Sequence, residues 1–560
     1  MNKKALSFSV AAIAVVLFFS ACSSKSNTAG RYVPDNAGVV MHIDGASLNT
    51  KLPWEEIKQN EWFKKVQSDT SMSAFAKAAF ENPDNSGVNI KKDIIIFYST
   101  DTSGAYAAVE GSISDEAKFK KSLAEGKITG KETTKDGYTF VTDEKNCVAY
   151  NKEKFFATMS TGSQTNYPPL SDLSDTGSVS LPNVSAKKDM EKVTAELINL
   201  SEGKSLGKNE KFGNLIETKG DAHLWMNAEF LNADANMGGM TALANLKKLY
   251  EGAITAATLN FSDGKIDMDV KSYGGKEMTE LYEKYSGGNV DKAMLQNIPS
   301  KDVAGVFALN FKPEGIKAFL KVLNLEGLAN MGAKAQLGID IDDFIKANKG
   351  DIMIAITDLK TANPDLNTSV DGLPTAPPMN VLFSAAIGDK ASFNKLIDAG
   401  KKMGSAFTAG ASTPPVFFNT NEKYFTMSTD KTSMDKYLAG SSIPAPAYID
   451  KIAGSGFGGY VNFQYVLNNT PTGKDSADIQ SKDLSIKMWD NLIINGGGFK
   501  DGALNQHWEI NLMDKTTNSL KQLNKYAGAM AAIQEKKAQQ QNDFWKNEDL
   551  MTIPPVSLNK

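Results

Sequence analysis

The chain has 560 residues, with 61 lysines and arginines against 65 aspartates and glutamates and a formal net charge of −4. That mildly acidic, evenly mixed balance argues against nucleic-acid binding, which needs a concentrated basic patch. The hydrophobic content of 41% is ordinary for a globular protein, and the length exceeds what one core organises, so two or more domains are expected.

The first residues divide into a cationic start, Met1-Asn2-Lys3-Lys4, an uncharged and mostly apolar stretch from Ala5 to Phe19, and the small residues Ser20-Ala21 before Cys22. This is the layout of a secretory signal; a membrane span needs about 20 apolar residues to cross about 30 Å. Phe19-Ser20-Ala21-Cys22 resembles the lipobox of bacterial lipoproteins, Leu-(Ala/Ser)-(Gly/Ala)-Cys, and departs from it only at Phe19. The resemblance implies diacylglycerol on the Cys22 thiol, cleavage between Ala21 and Cys22, and acylation of the new amine. Each buried methylene then contributes about 0.8 kcal/mol to membrane anchoring. An ordinary signal peptide beside an incidental cysteine is the alternative. Residues 22–30, small and polar, read as a flexible tether. Surface export of Bacteroidetes lipoproteins resembles a rule requiring acidic residues just after the cysteine. None occurs here before Asp35, which favours the periplasmic face of the outer membrane.

After the tether the chain is written twice. Val33-Pro34 with Gly38-Val39-Val40 returns as Ile298-Pro299 with Gly305-Val306-Phe307, and Gly87-Val88-Asn89-Ile90 returns as Gly338-Ile339-Asp340-Ile341. Ile113 to Lys121 returns as Ile387 to Lys395, Thr158-Met159-Ser160 as Thr426-Met427-Ser428, and Trp225 to Phe230 as Tyr460 to Tyr465. Asp263-Gly264 returns as Asp501-Gly502. Gly38 to Ile43 reads as an opening strand. Ser114 or Asp115, and Asp389, are N-cap candidates for helices that place Phe119 with Leu123, and Phe393 with Ile397, on one face. The two Asp-Gly pairs signal tight hairpins. After them Ile266, Met268 and Val270 alternate with Asp267, Asp269 and Lys271, and Trp508, Ile510 and Leu512 with His507, Glu509 and Asn511. Strands with one wet face predict antiparallel sheet.

The expected fold is α+β: two tandem related units, each an antiparallel sheet with helices packed on one face. The units span 31–286 and 287–523 and break near Ser286-Gly287-Gly288, after the signal peptide 1–21 and tether 22–30 and before a C-terminal helix and tail over 524–560. Long loops are expected over 361–380 and 161–184, and Thr516 to Glu548 reads as a long polar helix.

Candidate chemistry is sparse. With Cys22 lipidated, Cys147 has no disulfide partner and reads as a buried small residue in Cys147-Val148-Ala149-Tyr150. Of the three histidines, His42, His223 and His507, none recurs at its counterpart; His507 aligns with Asp269. They read as single structural or surface residues. Asp340, Asp342 and Asp343 suggest a cation, but a helix cap explains them better. Gly496-Gly497-Gly498 sits inside a strand pattern and reads as a bulge rather than a phosphate cradle. Trp54, Trp62, Trp225 and Tyr465 suit sugars or peptides if exposed and core packing otherwise. Asp475-Ser476-Ala477 resembles the Bacteroidetes O-glycosylation pattern Asp-(Ser/Thr)-aliphatic.

The lipobox at Cys22, the Val33-Pro34 start with Gly38-Val39-Val40, and the pattern from Gly87 to Ile94 together resemble an uncharacterised family of Bacteroidetes lipoproteins, a domain of unknown function. The resemblance implies an envelope location and the repeated α+β unit, and it transfers no catalytic residue. The expectation is a non-enzymatic envelope protein, without cofactor or metal, that binds an envelope protein partner or acts as a scaffold. Capture of a glycan or peptide in a cleft between the two units is the alternative, and a carboxylate-based hydrolase the weakest reading.

Overall fold

Alternating and continuous apolar runs fold into strands that join a single mixed α+β layer structure. A computed structural model describes residues 29–68, 86–101, 104–125, 128, 130–161, 188–231, 245, 247–359, 379–407, 416–441, 443–444, 446–473 and 475–548. The strands of the described residues are β1 Val39–Ile43, β2 Ile94–Asp101, β3 Gly104–Ser112, β4 Lys131–Lys135, β5 Tyr138–Thr142, β6 Asn146–Tyr150, β7 Lys154–Ser160, β8 Ala222–Asn227 and β9 Ile254–Ser262. They continue as β10 Lys265–Tyr273, β11 Val303–Asn310, β12 Asn348–Thr357, β13 Asn380–Ile387, β14 Phe417–Thr420, β15 Tyr424–Ser428, β16 Phe457–Asn462, β17 Trp489–Lys500 and β18 Ala503–Leu512.

These strands form one 18-stranded antiparallel sheet. Its spatial order is β4-β5-β6-β7-β3-β2-β1-β8-β9-β10-β18-β17-β16-β11-β12-β13-β15-β14. On each side of the middle, the opening strand (β1 or β11) lies between the second strand (β2 or β12) and the strand after the long excursion (β8 or β16). The closing hairpins β9–β10 and β17–β18 meet at a β10–β18 seam.

Helices cover both faces of the N-terminal strands, not one as expected. On the inner face Val40, Phe97, Tyr106 and Trp225 pack against Met190, Leu197, Phe212 and Leu215, which come from helices Met190–Ile198 and Glu210–Glu217. On the outer face Ile43, Phe261 and Ile266 pack against Leu48, Ile57, Trp62, Phe63 and Leu520. Helix Glu116–Glu125 adds Phe119 and Leu123 against Tyr150 and Phe155. The reason is visible in β2: Ile94-Ile95-Ile96-Phe97 is a continuous apolar run, which needs cover on both sides. In the C-terminal half the inner face buries Val306, Met353 and Leu382 against Met294, Tyr437 and Ile449. The outer face there is more open, with Phe307 40% and Ile354 43% exposed.

Local signals hold in detail. Asp115 Oδ1 accepts from the Lys118 amide at 3.0 Å and Asp389 Oδ1 from the Ser392 amide at 2.7 Å, so both cap their helices. Asp501 and Gly502 turn with φ of 52° and 73°, the left-handed pair a two-residue hairpin needs. The polar tail forms helix Ser519–Glu548, whose Leu520, Leu523 and Ala527 return to the outer core of the N-terminal half. The expected loops over 361–380 and 161–184 fall outside the described residues except at 161, 379 and 380. Among the described residues no helix is long and apolar enough to cross a membrane.

Candidate functional site: the seam cleft

The wet faces of β10 and β18 lie side by side between the two inner cores. Lys265, Asp267, Asp269 and Lys271 of β10 run beside Asn511, Glu509, His507 and Asn505 of β18. Asp269, Lys271, Asn505 and His507, with β9 and β17, floor a cleft of about 660 Å³, and Lys265, Asp267, Glu509 and Asn511 continue the seam outside its lining. One wall is helix Glu210–Glu217, through Lys211, Asn214 and Leu215; the other is the glycine-rich turns Gly287-Gly288-Asn289 and Gly454-Ser455-Gly456. Gly496 and Gly498 also line it, and the β17–β18 register shifts between them. The glycine triplet is therefore the bulge that the sequence suggested. Gly496 takes a φ of 156° and Gly497 one of 85°, while a side chain at Gly498 would meet open space. A second cleft, of about 390 Å³, lies around Tyr448, Lys451, Tyr460 and Lys515.

The seam strands are charged and internally paired, both in the cleft and beside it. His507 Nδ1 lies 2.8 Å from Asp269 Oδ1. Lys265 Nζ lies 2.8 Å from Asp267 and 3.2 Å from Glu509, and Lys451 Nζ 2.8 Å from Glu509. Burial alone would push the Glu509 carboxyl up, but the hydrogen bonds from Lys451, Asn511 and Lys265 outweigh it and bring it down to about 2. Asp267, His507 and Glu509 hold ligand atoms within 4.8 Å of one another, a spacing that suits a metal ion. The Lys265 ammonium already bridges Asp267 and Glu509, so the cluster supplies its own cation, and an incoming one would have to displace it.

A second polar group sits under the N-terminal half. His42 and His223, both nearly fully buried, face each other on paired strands with Nδ1 atoms 3.0 Å apart. His223 Nε2 is 2.8 Å from the Thr218 carbonyl, and His42 Nε2 is 3.3 Å from Asp93 Oδ2. A carbonyl only accepts, so His223 Nε2 carries the proton and its Nδ1 accepts from His42 Nδ1–H. Burial, then the His42 charge, lowers His223 to about 4. Nearby, burial raises the Glu110 carboxyl against the pull of Lys154, whose Nζ lies 2.8 Å away. Both histidines lie in the N-terminal half on strands separated by a long excursion of the chain, so no local sequence pattern brings them together.

The other sequence candidates have structural roles. Trp62 and Trp225 are buried, Trp54 packs edge-on against Phe63, and Tyr465 is half-buried. Asp340 and Asp343 form a capping box on helix Ile341–Ala347, and Asp342 pairs with Lys317 at 2.8 Å. Asp475 caps helix Ser476–Met488. Cys147 is buried and its thiol is pushed up by that burial. Cys22 and Ala21 lie outside the described residues.

A family model described as "Domain of unknown function (DUF4836)" matches residues 31–437. The chain belongs to the DUF4836 family. The expected membership of a family of unknown function is borne out at that level. The DUF4836 match ends within helix Lys431–Ala439, so β16, β17 and β18 lie beyond it and the seam cleft joins matched and unmatched sequence. No curated protein matches the chain. Among solved structures it is similar to crystal form I of TP0453, at 12% identity and a TM-score of 0.25, over 45% of this chain and 81% of that one. Crystal form III of TP0453 matches at 13% identity and a TM-score of 0.26, over 47% and 86%. Likeness at this level carries no functional argument.

Proposed function

We propose that this DUF4836 chain is a lipid-anchored envelope protein with a binding rather than a catalytic role, and that it captures a glycan or peptide in the cleft where two tandem related halves meet. The observation that carries the reading is the seam cleft itself. Its volume of about 660 Å³ falls within the range of small-molecule sites, roughly 300–1,000 Å³. Both halves line it, which gives a reason for keeping the second one.

Three things support the tandem relation. The sequence blocks recur in one order. Corresponding strands keep corresponding neighbours on the two sides of the sheet. The β10–β18 register sets Asp269 opposite His507, and these are equivalent positions counted from the two Asp-Gly turns. Equivalent positions face each other only where a two-fold axis passes between repeats.

A binding role is supported by the state of the floor. The lining holds one carboxylate, Asp269, already paired with His507 at 2.8 Å, whereas a carboxylate-based hydrolase needs two. The anchor rests on Phe19-Ser20-Ala21-Cys22, and the periplasmic face of the outer membrane on the absence of acids before Asp35. The test is a thermal-shift screen of the mature protein against a broad glycan and peptide panel. A ligand of the folded state raises the midpoint, by about 2.7 kcal/mol of added stability at a hundredfold excess over Kd. A panel that moves nothing removes the capture reading.

A further inference from the structure

The lining of the seam cleft is unlike the rest of this acidic chain. It contains three lysines, Lys211, Lys271 and Lys500, and one acid, Asp269, which His507 already holds at 2.8 Å. Among the described residues none of the three ammonium groups has an ion pair or hydrogen bond; Lys211 only lies over the Tyr273 ring, 4.5 Å from its centroid. The carboxamides of Asn214, Asn289 and Asn495, also in the lining, are likewise free of side-chain partners. Along the seam outside the cleft, lysines are consumed by carboxylates, as Lys265 and Lys451 are by Glu509.

We infer that the ligand of this cleft is an acidic oligosaccharide, whose carboxylate or sulfate groups are held by Lys211, Lys271 and Lys500 and whose hydroxyls meet the free carboxamides. The inference rests on the capture reading above and names its ligand class. The lysines come from both halves, Lys211 and Lys271 from the N-terminal one and Lys500 from the C-terminal one, so an anion spanning them bridges the seam. A peptide suits the cleft less well. The floor strands β9, β10, β18 and β17 are interior to the sheet, so no edge is free for strand addition. The glycine-rich wall also offers few side-chain pockets. Carboxamides supply paired donors and acceptors, which hydroxyl-rich ligands use.

The experiment is isothermal titration of the detergent-solubilised mature chain with a uronate trisaccharide, a sulfated trisaccharide, the neutral trisaccharide of the same linkage, and inorganic sulfate. The same set is run on the Lys271→Ala/Lys500→Ala double variant. Lys500 is exposed and Lys271 half-buried, so neither truncation opens a core; an unchanged thermal midpoint checks that. Expected are binding of at least one acidic trisaccharide, at least tenfold weaker binding of the neutral one, at least tenfold loss in the double variant, and weakening as salt rises. The uronate and sulfate arms decide which acid group is preferred. If inorganic sulfate binds as well as any trisaccharide, the saccharide class is overturned. Equal affinity for the neutral compound overturns the anionic class and leaves ligand capture standing. Acidic binding that survives the double variant overturns the lysine assignment. No binding by any trisaccharide, together with a thermal-shift panel that moves nothing, removes capture itself.

Discussion

The buried histidine pair makes acid sensitivity of the fold a direct test of the tautomer assignment. In the native state His223 is 3% exposed, donates from Nε2 to Thr218 and accepts at Nδ1 from His42. Protonating His223 sets two N–H groups against each other, in a site where water cannot relieve them. Its value falls from 6.5 to about 4, through burial first and His42 second. A basic group with a lowered native value binds its proton more tightly in the unfolded chain. Its contribution is therefore complete above pH 6.5 and is lost as pH falls toward 4. Between pH 7.5 and 4.5 the loss amounts to about 2.5 kcal/mol, a substantial share of the roughly 5–15 kcal/mol by which domains are stable. Glu509, held at about 2, loses its contribution only below its ordinary value of 4.5, so it leaves this window clear. The assay is urea unfolding of wild type and His223→Gln across that pH range, with glutamine keeping a donor and an acceptor but no titration. Stability of the wild type should fall relative to the variant by about 2.5 kcal/mol. Parallel curves would refute the assignment of neutral, buried His223.

Two further outcomes follow from packing and anchoring. Phe119 is fully buried between Tyr150 and Phe155, so Phe119→Ala should cost about 3–5 kcal/mol in urea unfolding; a cost under about 1 kcal/mol would mean the site collapses freely or is not core. Cys22→Ser should move the protein from the detergent phase to the aqueous phase on phase partition and stop processing after Ala21; a variant still in the detergent phase contradicts the acyl anchor.

Local chemistry was the most legible part of the sequence. The Asp-Gly turns, the caps at Asp115 and Asp389, the amphipathic placement of Phe119 and Phe393, and the bulge at Gly496 to Gly498 each depend on a few neighbouring residues, and each appears where expected. Coverage of the sheet was less legible. The alternation in β10 and β18 signals one wet face for those strands, whereas the unbroken run at Ile94 to Phe97 carries the signal for two buried faces. The candidate site was half visible. The wet faces of the two closing strands could be read, but their meeting at a seam is a long-range pairing that no local pattern encodes. For the same reason His507 reads from the sequence only as the divergent counterpart of Asp269, and nothing there says that the two touch. The His42–His223 contact was hidden in the same way, since β1 and β8 are neighbours across a long excursion of the chain.

The claim that a ligand sits in the seam cleft is tested most directly by filling it. Gly498 lines the cleft, does not need a left-handed backbone, and has open space where a side chain would go. Gly498→Trp should therefore fold with an unchanged midpoint in the absence of ligand. Compounds that raise the wild-type midpoint in the thermal-shift screen should leave that of the variant unmoved. Equal rises in both proteins would show that the ligand binds somewhere else.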